Sequence, residues 1–156
     1  MKMKYILIGV GVLFLIVIVA ILVINNKKIE ISKFKYFEFG YSNGYAMNSN
    51  VNYRVDCQDK CIAKIKPDGV SDEERIEVEL GNNDIENLIS ILKKYDVSKW
   101  NGFKKSDKYV MDGDSFHLYL KMVNNDYISA SGYMKWPKNY SVVRGELDIF
   151  FNKYIK

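Results

Sequence analysis

Asp112, Ser115 and His117 are the residue types of a hydrolytic triad, and they lie close together in the chain. Such a set works by nucleophilic attack from the serine, with the histidine taking its proton and the aspartate orienting the ring. The spacing argues against that chemistry. Ser115 to Val123 alternates, with Phe116, Leu118, Leu120 and Met122 on one face, so Ser115 and His117 fall two apart on a strand. Residues two apart on a strand are separated by about 6.5–7 Å and point in parallel. A nucleophile and its base need to approach within about 2.6–3.2 Å. The stretch therefore reads as a strand with an outward histidine. Asp112 and Asp114, with Gly113 between them, could offer oxygens to calcium, but no further ligand set of the EF-hand kind follows, and a tight turn is expected. Glu73, Glu74, Glu77 and Glu79 could pair for acid–base work. Glu77 and Glu79 alternate with Ile76, Val78 and Leu80, so they read as a solvated strand face. No catalytic set, metal site or cofactor site is assigned. The alternative kept is an enzyme or small-ligand pocket in which Asp112, Asp114 and His117 converge.

The two cysteines carry a sharper reading. Tyr53, Val55 and Cys57 alternate with Asn52, Arg54 and Asp56, and Cys61, Ala63 and Ile65 alternate with Ile62, Lys64 and Lys66. A three-residue connection, Gln58-Asp59-Lys60, closes a hairpin and sets Cys57 opposite Cys61. Opposed strand residues lie about 4.5–5.5 Å apart at Cα, which suits a disulfide. Zinc would need about four ligands, and one His in the whole chain cannot complete the set. Thiol-redox motifs place two residues between their cysteines, where this chain has three. Two reduced, buried cysteines remain the competing reading.

Two groups of side chains could recognise a partner. His117, Tyr119, Tyr127 and Tyr133 would share the open face of a sheet if the stretches 115–123 and 126–133 pair, giving an aromatic strip. Lys93, Lys94, Lys99, Lys104, Lys105 and Lys108 outweigh Asp96 and Asp107 between positions 93 and 108, and could touch anionic lipid headgroups or cell-wall polyanions. Each has a plainer reading, as amphipathic filler in a Tyr-rich chain and as a solvated helix end.

The elements that would position these residues follow from periodicity. Residues 35–40 read as a first strand, 51–57 and 61–66 as the cysteine hairpin, and 75–80 as a two-faced strand. Residues 83–95 form an amphipathic helix, with Ile85, Leu88, Ile89 and Leu92 on one side, Asn83 as N-cap and Glu86 three residues on. Asn124-Asn125 turns 115–123 into 126–133, and 140–155 form a last helix with Val143, Leu147, Phe150, Phe151 and Tyr154 inward. Gly145 in that helix is expected to permit close packing, since glycine there costs about 1 kcal/mol relative to alanine. The order β-ββ-β-α-ββ-α predicts an α+β fold: about six antiparallel strands with two helices on one face. The other face, carrying Arg54, Asp56, Lys64, Lys66, Glu77, Glu79, His117, Tyr119 and Lys121, should be wet.

A membrane segment precedes this domain. Residues 5–24 hold no charge, Asn or Pro, and a helix of that length spans about 30 Å, the thickness of a hydrocarbon core. A cleavable signal peptide would have a shorter apolar run ending in small residues, whereas this one ends in Leu22-Val23-Ile24. The expected organisation is a tail at 1–4, an anchor helix at 5–24 in the lipid bilayer, a juxtamembrane spacer at 25–33 and one globular domain at 34–156. Lys2, Lys4, Lys27 and Lys28 flank the span, and without them the remaining 19 basic residues equal the 19 acidic ones. A domain so balanced is not built for broad electrostatic binding to nucleic acid. A strict count of nearby lysines favours a cytoplasmic domain, but large domains cross largely regardless of charge. A disulfide needs an oxidising compartment, which places the domain outside the cytoplasm.

Trp100-Asn101-Gly102-Phe103, Met111-Asp112-Gly113-Asp114-Ser115-Phe116, and Gly132 with Pro137 and Asn139 before a terminal helix together resemble a family of small, secreted or membrane-anchored bacterial proteins without an assigned function. Tyr41-Ser42-Asn43-Gly44-Tyr45 matches that family's early small-residue turn, and the resemblance spans about 36–156. It implies a fold and no chemistry, because the matching residues are turn and core positions. The expectation is a single-pass, membrane-anchored, non-catalytic domain that binds a protein or envelope component. A cytoplasm-facing regulatory or toxin-neutralising partner is the other alternative.

Overall fold

The computed structural model describes residues 29–44 and 50–155. The anchor expected at 5–24 lies outside them. Among the described residues no helix is long and apolar enough to cross a membrane.

Seven strands form one sheet: β1 (Phe34–Ser42), β2 (Asn50–Cys57), β3 (Cys61–Lys66), β4 (Ile76–Leu80), β5 (Lys104–Ser106), β6 (Ser115–Met122) and β7 (Tyr127–Tyr133). Their spatial order is β4-β3-β2-β1-β6-β7-β5, which puts β1 in the middle, bonded on both sides. Among the described residues two α-helices, α1 (Asn82–Lys94) and α2 (Tyr140–Asn152), complete an α+β fold. Two expectations change. The sheet is mixed, because β5 runs parallel to β7. It also has a seventh strand, for three exposed residues, Lys104-Lys105-Ser106, carry no apolar alternation to announce them.

Alternation does set the rest. Phe37 and Phe39 of β1, Val55 of β2, Ile65 of β3, Leu118 and Leu120 of β6 and Ile128 of β7 are sealed in one core with Leu88 and Leu92 of α1 and Val143, Leu147 and Phe151 of α2. Phe151 stacks on Tyr53 at 4.3 Å and on Phe37 at 6.3 Å between ring centroids, fixing α2 across the middle strands. Asp148 of α2 accepts hydrogen bonds from Tyr53 Oη (2.7 Å) and Tyr41 Oη (2.9 Å), so a carboxylate satisfies two phenols that the packing draws in from water. Burial, reinforced by that carboxylate, pushes the Tyr53 phenol well above its ordinary pKa.

Local chemistry shifts some boundaries. The N-cap of α1 is Gly81 rather than Asn83, and the carboxylate that caps it belongs to Asp84, which accepts the Gly81 N–H at 3.1 Å. Asn125 takes a left-handed conformation (φ 68°) in the β6–β7 turn, as Asn tolerates well. The expectation for Gly145 fails: a Cβ there would meet nothing within 4 Å, so no close approach requires the glycine. Lys66 was expected in water and is instead 7% exposed, because the short 3₁₀ turn Asp72–Glu74 brings Asp72 against it.

Candidate functional site

The helices cover one face of the sheet. On the opposite face, strand register lines up a second set of residues. Glu38 of β1 stands between Arg54 of β2 and Tyr119 of β6, and Gly40 stands between Asn52 and His117. The 3₁₀ turn Asp72–Glu74 reaches one side of this face, where Asp72 pairs with Lys66.

Glu38 is its electrostatic centre. Its carboxylate accepts hydrogen bonds from Tyr36 Oη (2.7 Å), Asn52 Nδ2 (3.1 Å) and Arg54 Nη2 (3.2 Å). Partial burial alone would raise its pKa, but these bonds and the Arg54 charge outweigh it and hold the carboxyl at about 2. Tyr36 moves the other way: burial and the Glu38 charge push its phenol up to about 12. His117 Nε2 lies 3.4 Å from Asn52 Nδ2 and 3.6 Å from Glu38 Oε1. The ring can lie over β1 because residue 40 is glycine; a Cβ there would collide with His117 Cε1 and stand 2.9 Å from Nε2.

An aromatic strip runs beside this cluster. Tyr36 and Tyr119 have ring centroids 6.0 Å apart, and Tyr119 and Tyr127 are 6.2 Å apart. Tyr127 is 55% exposed, so the strip ends in open solvent. Tyr133, expected in the strip, serves another purpose. Its hydroxyl accepts from the Gly113 N–H and donates to the Met111 carbonyl, both at 2.8 Å, tying down the 111–114 segment. Tyr36 takes its place, a residue that sequence reasoning put on a first strand without seeing that register brings it to Tyr119.

The triad residues are arranged as the strand spacing predicts. Ser115 Oγ sits 2.7 Å from Ser42 Oγ, and His117 turns toward Asn52 and Glu38. Among the described residues, no three His, Cys, Asp or Glu side chains gather as metal ligands would. Asp112 is exposed and Asp114 half-buried. Cys57 and Cys61 oppose each other across the β2–β3 turn with sulfurs 2.05 Å apart, at disulfide distance, and Cα atoms 4.0 Å apart.

The six lysines of 93–108 are spread over four elements. Lys93 and Lys94 end α1, with Lys94 over the Tyr95 ring; Lys99 pairs with Asp96 at 2.6 Å; Lys104 and Lys105 lie on edge strand β5; and Lys108 is in the following loop. Lys99 and Lys105 reach a cleft of about 310 Å³, walled by Trp136, Phe103 and Tyr95.

Two hollows flank His117 on the open face. One, of about 290 Å³, lies toward β2 and β3 and is lined by Ser42, Asn52, Lys66, Arg75, Ser115 and His117, and also by the more exposed Asp72. The other, of about 610 Å³, lies toward β7 and β5, over Ser131, Tyr133 and Lys104. Sequence reasoning saw His117 but not the partners that make these hollows, since Arg75 and Asp72 reach the face only through the 3₁₀ turn. A scan against models of known protein families finds no match, and a search of curated proteins finds none either.

Proposed function

We propose that the chain is a single-pass membrane-anchored protein whose globular domain stands outside the cytoplasm and acts by binding, through the uncovered face of its sheet. The observation that carries this reading is that face itself: a tyrosine strip ending at exposed Tyr127, beside a carboxylate already saturated by Tyr36, Asn52 and Arg54. Exposed aromatic surface rimmed by polar groups marks interaction sites. The apolar run at 5–24 supports the tether, and the Cys57–Cys61 pair supports an oxidising compartment. The partner is a protein or an envelope component, and the resemblance to small envelope-associated bacterial proteins agrees with that setting.

The test treats intact cells with a membrane-impermeant thiol reagent, with and without a permeant-free reductant pulse. Labelling of Cys57 and Cys61 only after reduction is expected. Labelling only in lysed cells, without reductant, would place the domain in the cytoplasm and favour the regulatory or toxin-neutralising alternative. A photo-crosslinking residue at position 127 should then capture a partner that one at position 149, on the exposed side of α2, does not. Equal capture at both positions would remove the face from the proposal.

A small-ligand reading is favoured by one observation, the polar hollow beside His117. Asp112 and Asp114, its other expected members, do not line it.

A further inference from the structure

The hollow of about 290 Å³ between β1, β2, β3 and β6 is walled largely by polar side chains, among them Lys66, Arg75, Ser42, Ser115 and Asp72, with Val51 as an apolar part. Lys66 is its most buried charged wall, with Nζ bonded to Asn50 Oδ1 and 3.1 Å from Asp72 Oδ1. Arg75 lies against the same carboxylate oxygen, Nη2 to Asp72 Oδ1 at 3.1 Å, while its Nε–H is buried without an acceptor among the described residues. Ser42 and Ser115 present paired hydroxyls 2.7 Å apart, and Asn52 Nδ2 and His117 Nε2 close the far side.

Charge decides what this chamber can hold. Two cations face one carboxylate, leaving an excess of one positive charge before His117 is counted. That carboxylate belongs to Asp72, which also lines the hollow but whose side chain is 68% exposed. Solvent screens it there, whereas Lys66 and the buried Nε of Arg75 act from a drier wall. Glu38, the other nearby acid, is already saturated by its own donors. An apolar guest would leave the buried Arg75 Nε–H, and the one hydroxyl proton not used between Ser42 and Ser115, without acceptors, at a cost for each. An oxyanion offers acceptor oxygens to both and to the Lys66 and Arg75 charges.

We propose that this hollow is a binding site for a phosphate-type oxyanion, held by Arg75 and Lys66 with the Ser42 and Ser115 hydroxyls and bordered by His117. It rests on the reading of the open face as a recognition surface and assigns that surface a ligand chemistry. The larger hollow beyond His117, with Lys104 on its wall, gives room for whatever the oxyanion is attached to. A phosphate of that kind could arrive as a free monoester or as the diester of a polymer or lipid headgroup.

The experiment uses the full chain purified in detergent micelles. Titration with inorganic phosphate, methyl phosphate and dimethyl phosphate is followed by calorimetry and by the Nε–H resonance of Arg75. Saturable binding of at least one probe is expected, with a shift in the Arg75 signal. Arg75→Gln should weaken binding at least tenfold, and Ser115→Ala about threefold or more. Lys121→Gln, on the same face but outside the hollow, should change affinity less than twofold. A preference for the methyl or inorganic probe points to a free monoester, and a preference for dimethyl phosphate to a diester. Binding that Arg75→Gln leaves intact, or no saturation with any of the three probes, overturns the proposal. These outcomes are independent of crosslinking at position 127, so the site and the broader binding face fail separately.

Discussion

A methyl group on residue 40 would strike His117, and that collision explains much of the open face. The clash is with the far end of an imidazole, which can swing away, and Gly40 lies in a strand where alanine suits the backbone. Gly40→Ala should therefore change stability by less than about 1 kcal/mol while displacing the ring from Asn52 and Glu38. Because the chain has one His, its ring signals in an NMR spectrum are unambiguous, and they should shift while the core methyl signals stay in place. Unmoved ring signals would mean that the imidazole does not rest over β1. Glu38 gives a prediction in pH. Its folded-state value of about 2 lies below the ordinary 4.5, so the carboxylate contributes stability above pH 4.5, which drains away as the pH falls toward 2. Glu38→Gln should cost about 1–3 kcal/mol at neutral pH and flatten the urea midpoint between pH 5 and 2. A variant whose midpoint falls with acid as steeply as the parent's would exclude Glu38 as the source. The outward aim of His117 was readable from strand alternation. The role of Glu38 was not, because it exists only once the register of three strands is known.

Elements whose apolar residues recur at 2.0 or 3.6 positions were legible; those held by single contacts were not. β6 and β7 follow from Phe116, Leu118, Leu120 and Met122 and from the Asn124-Asn125 turn, and the cysteine hairpin closes with Cys57 opposite Cys61 as the alternation requires. β5 escaped because its three residues are exposed and join the sheet through backbone pairing with Ser131, Gly132 and Tyr133. Gly145 misled in the opposite direction. Glycine inside a helix is usually taken as a sign of close packing, yet here a side chain would enter open space. Gly145→Ala should stabilise the domain by about 0.5–1 kcal/mol, raising the thermal midpoint by a few degrees through helix propensity and a less flexible unfolded chain. A lower midpoint would show that something packs against α2 at that position. Such a contact would have to come from outside the described residues.

At the scale of the whole molecule, the proposed tether and binding domain rest on charge and covalent chemistry. Four lysines bracket an apolar run that no folded domain of this size needs, and the remainder balances acid against base. That division was visible in composition. The proposed oxyanion site was not, because it depends on the spatial meeting of Lys66, Arg75 and Ser115, which lie far apart in sequence. The two parts make a joint prediction. Washing membranes with alkaline carbonate should leave the full chain in the pellet and detergent should release it, since about twenty apolar residues in lipid are not displaced by salt or pH. In the detergent-released protein the Cys57–Cys61 link closes a loop with a sequence separation of 4, so loop entropy sets its contribution near 2 kcal/mol. Reduction should lower the unfolding free energy by about that much, a drop of about 1–2 M in the urea midpoint, without unfolding the domain, because the sheet and both helices share a core that the cysteines only border. A chain recovered in the carbonate supernatant, with its first residue beyond Ile24, would break the link between tether and compartment. The disulfide would then have to be explained by secretion, and the open face would belong to a protein that diffuses to its partner.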